Sequence, residues 1–582
     1  MLEVVGIDLD DALVAEWRSR VARARVHLGW EADAACVARR HETGASLAIA
    51  APFDRLFTAT ELNEWALCSA LHERDSSHWG HLREALRSAS QAASPNPASA
   101  VPAEIDEPAA LARMVRVATR EARPDLSALV AAARSHGVPF LLDDDTLSLG
   151  DGVAGRGYAL DALPRVKDVP WGGLRAVPTA LVTGSNGKTT TVRLVAACAR
   201  AQGWRVGYCC TDGVFANGAV LDNGDYSGPA GARSVLRNDS IEAAVLETAR
   251  GGILRRGLAV TRTDVAVVTN VSADHFGEYG IHDLDALADV KLTVGAVVRT
   301  GGSLVLNADD ACLRGKAVGL ERRFGHRLDV AWFARGADDA FLAAQRATGG
   351  MTCGVRDGRL LLARGAVEHD LGAIVDMPLT VEGLAAYNVA NLAAAALAAV
   401  AMGVAPATVA AVFAQFGSSA EHNPGRMMRF DLNGVRVLLD YAHNPEGLGG
   451  LLRVAEGLRG GTGRLGLLLG HAGNREDRDI ERLAEAAAAF RPALVVVKEI
   501  EGYLRGRAPG EVPRILRATL LRAGLPEAVL PLRSTEIEAV RCALEWARPG
   551  DVLVLPVHGL AARAQVVAML QQVRPDSADT AP

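Results

Sequence analysis

From Thr179 onward, short apolar runs alternate with segments of helical spacing. The runs 179–183, 241–247, 265–269 and 303–307 are apolar almost throughout, as strands covered on both faces are. Segments 188–202, 284–298 and 383–402 repeat their apolar residues at helical intervals. After Asn423-Pro424-Gly425 a second series begins, with strands over 435–440, 465–470, 493–498 and 551–557 and helices over 478–490, 511–523 and 535–547. Strands interleaved with helices predict mainly parallel sheets with helices on both faces. The earlier part of the chain is a mixed unit followed by a Ser/Ala/Pro-rich stretch, 88–108, whose composition buries too little apolar surface to pack. Segment 109–135 has helical spacing broken at Pro124, and 150–157 is a glycine-bearing turn region.

Composition narrows the class. At roughly 150 residues per domain, 582 residues make three or four domains. With 49% hydrophobic and 22% charged residues the chain is globular, and a net charge of −6 argues against coating nucleic acid. Eight cysteines are scattered without a CxxC pair, which fits neither a zinc site nor a disulfide scaffold. The first residues carry no basic segment followed by an apolar one, and the most apolar stretch, 392–405, falls short of the ~20 residues of a spanning helix. A cytoplasmic protein with no membrane or nucleic-acid partner is expected. Of the 62 basic residues only five are lysines (167, 188, 291, 316 and 498), so each lysine marks a place where a compact ammonium or a nucleophilic amine is wanted over a guanidinium.

Two of those lysines fall in motifs. The strand 179–183 runs into Gly184-Ser185-Asn186-Gly187-Lys188-Thr189-Thr190, and a helix follows. Backbone N–H groups of such a loop point at an anion, and the helix N-terminus adds about half a positive charge. Lys188 would reach the β- and γ-phosphates, and Thr189 or Thr190 would place a hydroxyl on Mg²⁺. The strict phosphate-loop pattern wants glycine where Val182 stands. The strand 241–247 ends in Glu247, at the carboxyl edge where open α/β sheets bind ligands and a hard cation would find an oxygen. The next strand leads to Asp274 and His275, and Lys291 lies on the helix after that. Arg250, Arg255 and Arg256 read either as forks for a carboxylate or as solvated arginines of an arginine-rich chain.

Together these elements resemble the Mur ligase superfamily of ATP-dependent amide ligases. The resemblance rests on 183–190 (TGSNGKTT), Glu247, 270–275 (NVSADH), Lys291, 383–391 (GLAAYNVAN), Arg426 in NPGRM and 440–445 (DYAHNP). Tyr387 stands where members commonly carry histidine. Within the superfamily the chain is most similar to the Mur-like module of the cyanophycin synthetases, through DYSGP (225–229), LETARGGILRRG (246–257), EHNPGRM (421–427) and RGRAPGE (505–511). Those enzymes carry an ATP-grasp domain before that module. Here about 95 residues separate the first unit from the phosphate loop, too few for it, and 109–160 reads as a remnant.

The implied fold is α/β: an α+β N-terminal domain (1–87), a linker with the remnant (88–175), a P-loop parallel-sheet central domain (176–422), a Rossmann-like C-terminal α/β domain (423–574) and a tail (575–582). The implied reaction activates a carboxylate, such as an aspartate β-carboxylate, as an acyl phosphate for capture by an amine such as arginine. ATP and one or two Mg²⁺ are the implied cofactors. The resemblance gives Thr189 and Glu247 one Mg²⁺, His275 a second, and Lys291 the position at which several Mur ligases carry a carbamylated lysine. It places Asn388 and Asn391 on the adenine side and has Arg426 and Asp440 complete the nucleotide site as the last domain closes. His443 and Asn444 read either as substrate contacts or as a structural turn. Expected partners are a small acidic or Asp-containing substrate, an amine acceptor and further copies of the chain. Two alternatives stand beside this: a folate-type polyglutamylating ligase, and a catalytically silent nucleotide-binding partner of a cyanophycin system.

Overall fold

A computed structural model describes residues 1–41, 44–74, 106–273, 276, 280–461 and 463–572. The linker up to residue 105, Asp274, His275 and the expected tail lie outside the described residues. The chain forms two compact units, one of Met1–His136 with Tyr158–Val169 and the other of Gly137–Gly157 with Pro170–Pro582.

In the first unit, helices Asp11–His27, Leu56–Arg74 and Glu107–Glu121 share one core with a three-stranded antiparallel sheet ordered Leu2–Val5, Gly44–Ile49, Cys36–His41. Asp10 and Asp106 cap two of these helices, accepting from Leu13 N (2.9 Å) and Ala109 N (3.1 Å). Buried Asn63 ties two helices and the sheet together: it accepts from Trp17 Nε1 at 2.9 Å and donates to Leu47 O at 3.0 Å. The helix Glu107–Glu121 stops before Pro124, which opens Pro124–Ser135 at a first-turn position where its missing N–H is harmless.

Here the expected linker-and-remnant segment 88–175 needs correction. Ala110, Leu111 and Met114 lie in the first unit's core, so this helix belongs to that unit. Residues 137–157 belong to the second. Their hairpin, Phe140–Leu142 with Thr146–Leu149, is held by Arg237, which pairs with Asp143 and donates to Ser148 Oγ (2.8 Å) and Thr146 O (3.1 Å). Gly152 (φ +54°) lies so close to Ile241 that a Cβ would come within 2.4 Å of its carbonyl oxygen.

The second unit has two lobes. The central lobe is an eleven-stranded sheet in the order Ala219–Asn223, Gly213–Ala216, Val206–Cys210, Ala243–Glu247, Thr179–Thr183, Thr263–Val268, Val298–Asn307, Asp329–Gly336, Met351–Arg356, Arg359–Arg364, Val367–Ala373. The seven strands from Val206–Cys210 to Met351–Arg356 run parallel, and antiparallel hairpins extend both ends. The sheet is therefore mixed, more so than the alternation of strands and helices predicts. Ala180 and Val182 face one core with helices Lys188–Ala201 and Ala386–Met402, while Leu181 faces the other. The alanine-rich helix Ala386–Met402 is buried along most of its length, as its composition predicts, and no helix among the described residues is long and apolar enough to cross a membrane.

The C-terminal lobe orders its strands Met428–Leu432, Val435–Asp440, Val552–Pro556, Leu465–Leu469, Leu494–Lys498, Leu532–Arg533, parallel except for the first. Its strand ends carry the loops that meet the central lobe.

Candidate active site

The loop Gly184–Gly187 leaves the carboxyl end of a central strand and opens the helix Lys188–Ala201. Two of its residues must be glycine. At Gly184 (φ +147°) a Cβ would sit 1.8 Å from Thr269 Oγ1, and at Gly187 (φ +84°) 2.1 Å from Asn391 Oδ1. The strand-end segment after Thr263–Val268 holds the loop in shape. Ser185 N donates to Asn270 O (3.0 Å), Asn186 N to Asn270 Oδ1 (2.9 Å), and Thr269 Oγ1 to Asn186 O (2.6 Å). Lys188 Nζ folds back to the mouth of the loop, donating to Gly184 O (3.1 Å) and Ser185 O (3.0 Å).

Glu247 is 1% exposed and accepts from Thr189 Oγ1 at 2.7 Å and Thr211 Oγ1 at 2.9 Å. It makes no ion pair among the described residues. A buried carboxylate met only by hydroxyls is an all-oxygen set of the kind a hard divalent cation takes. Thr211, just past the strand Val206–Cys210, has no motif to mark it in the sequence.

The C-terminal lobe closes over this loop. Asn444 Nδ2 donates to Asn186 Oδ1 at 2.8 Å, and Asn186 Nδ2 donates to Glu446 Oε2 at 3.1 Å. Asn444 also caps the helix Pro445–Arg459 by accepting from Gly447 N at 2.8 Å, a structural turn that at the same time reaches the phosphate loop. Asp440 accepts from Met427 N (2.7 Å) and Ala442 N (2.8 Å), and burial pushes its carboxyl above the usual carboxylate range. Tyr387 is wedged against the C-terminal lobe: its hydroxyl reaches Met427 Sδ, and a Cβ at Gly450 would lie 3.1 Å from its Cδ1.

Beneath this seam, Asp212 collects three guanidinium groups. Arg193 lies at 2.7 Å, Arg563 at 2.8 Å and Arg426 at 3.9 Å. Burial opposes the charge, yet Arg426, Arg193 and Arg563 outweigh it and hold the Asp212 carboxyl down to about 2. Arg193 also donates to Asn423 Oδ1 (3.1 Å) and Pro424 O (2.9 Å), which fixes the connection between the lobes. Arg426 stacks over the Tyr441 ring at 4.3 Å.

Two cavities flank the loop. One, of about 350 Å³, is lined by Ser185–Thr190, Glu247, Tyr387, Asn388, Asn391, Arg426, Asp440 and His443. Asn388 and Asn391, expected from the resemblance on the adenine side, both wall this cavity. Asn391 donates to Asn388 Oδ1 (3.1 Å), Asn388 donates to Leu379 O (3.0 Å), and Asn391 packs on Gly187 of the phosphate loop. The second cavity, about 620 Å³, is lined by Gly184, Lys188, Arg250, Arg255, Arg256, Lys291, His443 and Arg505. Among the described residues its only acidic lining residue is Asp225, against six cationic ones. Lys291 (3% exposed) and Arg250 (7%) are buried in its wall, which removes the solvated reading for Arg250. Lys188 and His443 line both cavities. Asp274 and His275 lie outside the described residues.

Residues 182–399 match the Mur ligase middle domain, and 425–556 match the Mur ligase glutamate ligase domain. Through these two domains the chain belongs to the Mur ligases. It is 35% identical over 382 residues to cyanophycin synthetase of Crocosphaera subtropica, covering 65% of this chain and 42% of that one. It is 29% identical to UDP-N-acetylmuramoyl-L-alanyl-D-glutamate–2,6-diaminopimelate ligase of Corynebacterium efficiens, over 65% of this chain and 68% of that one. The chain thus spans about two fifths of the length of the cyanophycin synthetases it matches. Among solved structures, ligand-free bifunctional folylpolyglutamate synthase/dihydrofolate synthase of Yersinia pestis aligns over 68% of this chain and 90% of its own, with 19% identity and a TM-score of 0.49.

Proposed function

We propose that this protein is an ATP-dependent, ADP-forming ligase that joins an acidic, Asp-containing carboxylate substrate to an amine such as arginine. The observation that carries the reading is the pair of cavities meeting at Lys188 and His443. ATP occupies the smaller cavity with its phosphates on Gly184–Thr190. The acid occupies the larger one, where Arg250, Arg255, Arg256 and Arg505 suit carboxylates. The terminal phosphoryl group and the acid then meet at the shared wall.

A carboxylate oxygen attacks the γ-phosphorus and ADP departs, leaving an acyl phosphate whose leaving group is phosphate instead of oxide. The amine attacks the carbonyl carbon, loses a proton, and phosphate leaves as the amide forms. Lys188 neutralises charge on the transferred group, exchanging its loop carbonyls for phosphate oxygens. Mg²⁺ held by Thr189, Thr211 and Glu247 would supply charge neutralisation at the phosphates, and His275 is the family-implied holder of a second ion. Carbamylation of Lys291 would turn a buried cation into an oxygen donor beside the loop. The seam of Asn186, Asn444 and Tyr387 excludes water, which would otherwise hydrolyse the acyl phosphate.

The test is phosphate release by the full chain with Mg²⁺-ATP and a panel of Asp-containing peptides, with and without arginine and other amines, and products read by mass spectrometry. Release that needs both acid and amine, with a product lighter than their sum by one water, supports the ligase. Nucleotide binding without turnover on any pair contradicts it and favours the silent partner.

A further inference from the structure

Among the lysines, Lys498 stands apart from the chemistry described so far. It ends the strand Leu494–Lys498 of the C-terminal lobe and is 0% exposed. Its stem passes over Gly470, where a Cβ would come within 3.0 Å of Lys498 Cγ. Burying an ammonium is strongly unfavourable unless it is paired. Its partner is Glu536, 1% exposed, at the start of the helix Glu536–Trp546. Glu536 also accepts from His558 N (2.9 Å) and Gly559 N (2.7 Å), pinning the backbone beyond the strand Val552–Pro556.

The imidazole of His558 has Glu536 Oε1 3.5 Å from its Nδ1 and lies closer still to two other partners. Its Nδ1 is 3.3 Å from Lys498 Nζ, and its Nε2 is 3.2 Å from Ala442 O. An ammonium only donates and a carbonyl only accepts. The ring is therefore the neutral tautomer with its proton on Nε2, accepting from Lys498 and donating to Ala442. The charged and titratable groups facing it are Lys498, Glu536, Tyr441, His443 and His471, with Arg563 on its carbonyl. Burial and the Lys498 ammonium lower its titration to about 4, so the tautomer persists through neutral pH.

Ala442 is in the middle of the loop that meets the central lobe. Its N–H is held by Asp440 and its carbonyl by His558. The next residue, His443, lines both cavities, and the one after, Asn444, bonds Asn186 in the phosphate loop. We infer that Lys498, Glu536 and His558 form a positioning relay. It fixes the carbonyl of Ala442 and thereby sets where His443 and Asn444 stand against the phosphate loop. The inference rests on the ligase reading for its effect on turnover, but the relay itself is testable without turnover.

Two variants of the full chain test it. His558→Gln keeps a donor for Ala442 O and an acceptor for Lys498, whereas His558→Leu keeps the bulk and loses both. Hydrogen exchange of the amides from Tyr441 to Gly447 is expected to quicken about tenfold in the leucine variant, the effect of one lost hydrogen bond to a buried partner. The glutamine variant is expected to restore protection. In the ligase assay, the leucine variant should lower kcat while leaving the KM for ATP within about twofold, and glutamine should recover most of the loss. Loop exchange unchanged in the leucine variant, or a glutamine variant as impaired as leucine, overturns the relay whether or not turnover is found. Should the leucine variant fail to fold, ¹⁵N-histidine NMR of the native chain decides. A proton on Nε2 of His558 supports the relay, and one on Nδ1 overturns it.

Discussion

The two cavities on either side of Lys188 are built on opposite plans. The smaller is walled largely by neutral amides and hydroxyls that bond one another, and its charged groups are mostly balanced, with Arg426 facing Asp212 and Asp440. The larger gathers six cationic side chains against one acidic one among the described residues. A site that meets a constant ligand is best made rigid, since ordered partners need no rearrangement at the moment of reaction. A site that draws in an acidic substrate is better served by concentrated charge, which acts at a distance and tolerates variation in the ligand. On the ligase reading proposed above, the first cavity would set the rate and the second would recognise the acid.

The largest expected break comes at the shared wall. Lys188→Ala should lower acid-dependent phosphate release by about three orders of magnitude, the usual weight of a charge aimed at a transferred phosphoryl group. Unchanged release would remove the loop from the chemistry.

Next comes the seam that supports the rigid cavity. Asp212→Asn leaves three arginines without their shared anion and should destabilise the second unit by about 3 kcal/mol. The folded carboxyl titrates at about 2, below its ordinary 3.8. Its contribution is therefore fully present above about pH 4 and lost as pH falls through 2. Urea melts of the two proteins should accordingly converge on acidification, and a gap that widens would reverse the assignment.

The recognition cavity should fail differently. Arg250→Ala is expected to raise the KM for the acid by about ten- to a hundredfold, with the KM for ATP little changed. A matching rise for ATP would erase the distinction between the cavities. The smallest effect is at Thr211: replacing it with valine removes one oxygen beside Glu247 and should raise the Mg²⁺ needed for half-maximal turnover by about fivefold. A magnesium dependence that does not move would exclude Thr211 from the cation site.

What could be read from the chain follows the range of the interactions. The phosphate loop is legible because strand, glycines, lysine and helix are contiguous, and Gly184 and Gly187 are dictated by backbone angles and close neighbours. Glu247 is legible because a strand end in an open sheet has one direction to face. Thr211 was not, since a threonine after a strand carries no spacing signal. The grouping of Arg193 and Asp212 with Arg563 joins residues 351 positions apart, and nothing local announces it. Lys498 could be picked out as a rare lysine, but its partners Glu536 and His558 come from two other elements of the lobe. The expected linker misplaced the helix Glu107–Glu121 because composition changes before the chain returns to the first unit's core.

The central claim is that the terminal phosphoryl group lies where the two cavities meet. A crystal structure of the full chain with Mg²⁺ and the non-hydrolysable analogue AMP-PNP tests it most directly. The account predicts the triphosphate along Gly184–Thr190, with Lys188 Nζ turned from the loop carbonyls onto the γ-phosphate beside His443. A triphosphate bound anywhere else, with Lys188 still on Gly184 O and Ser185 O, would contradict it.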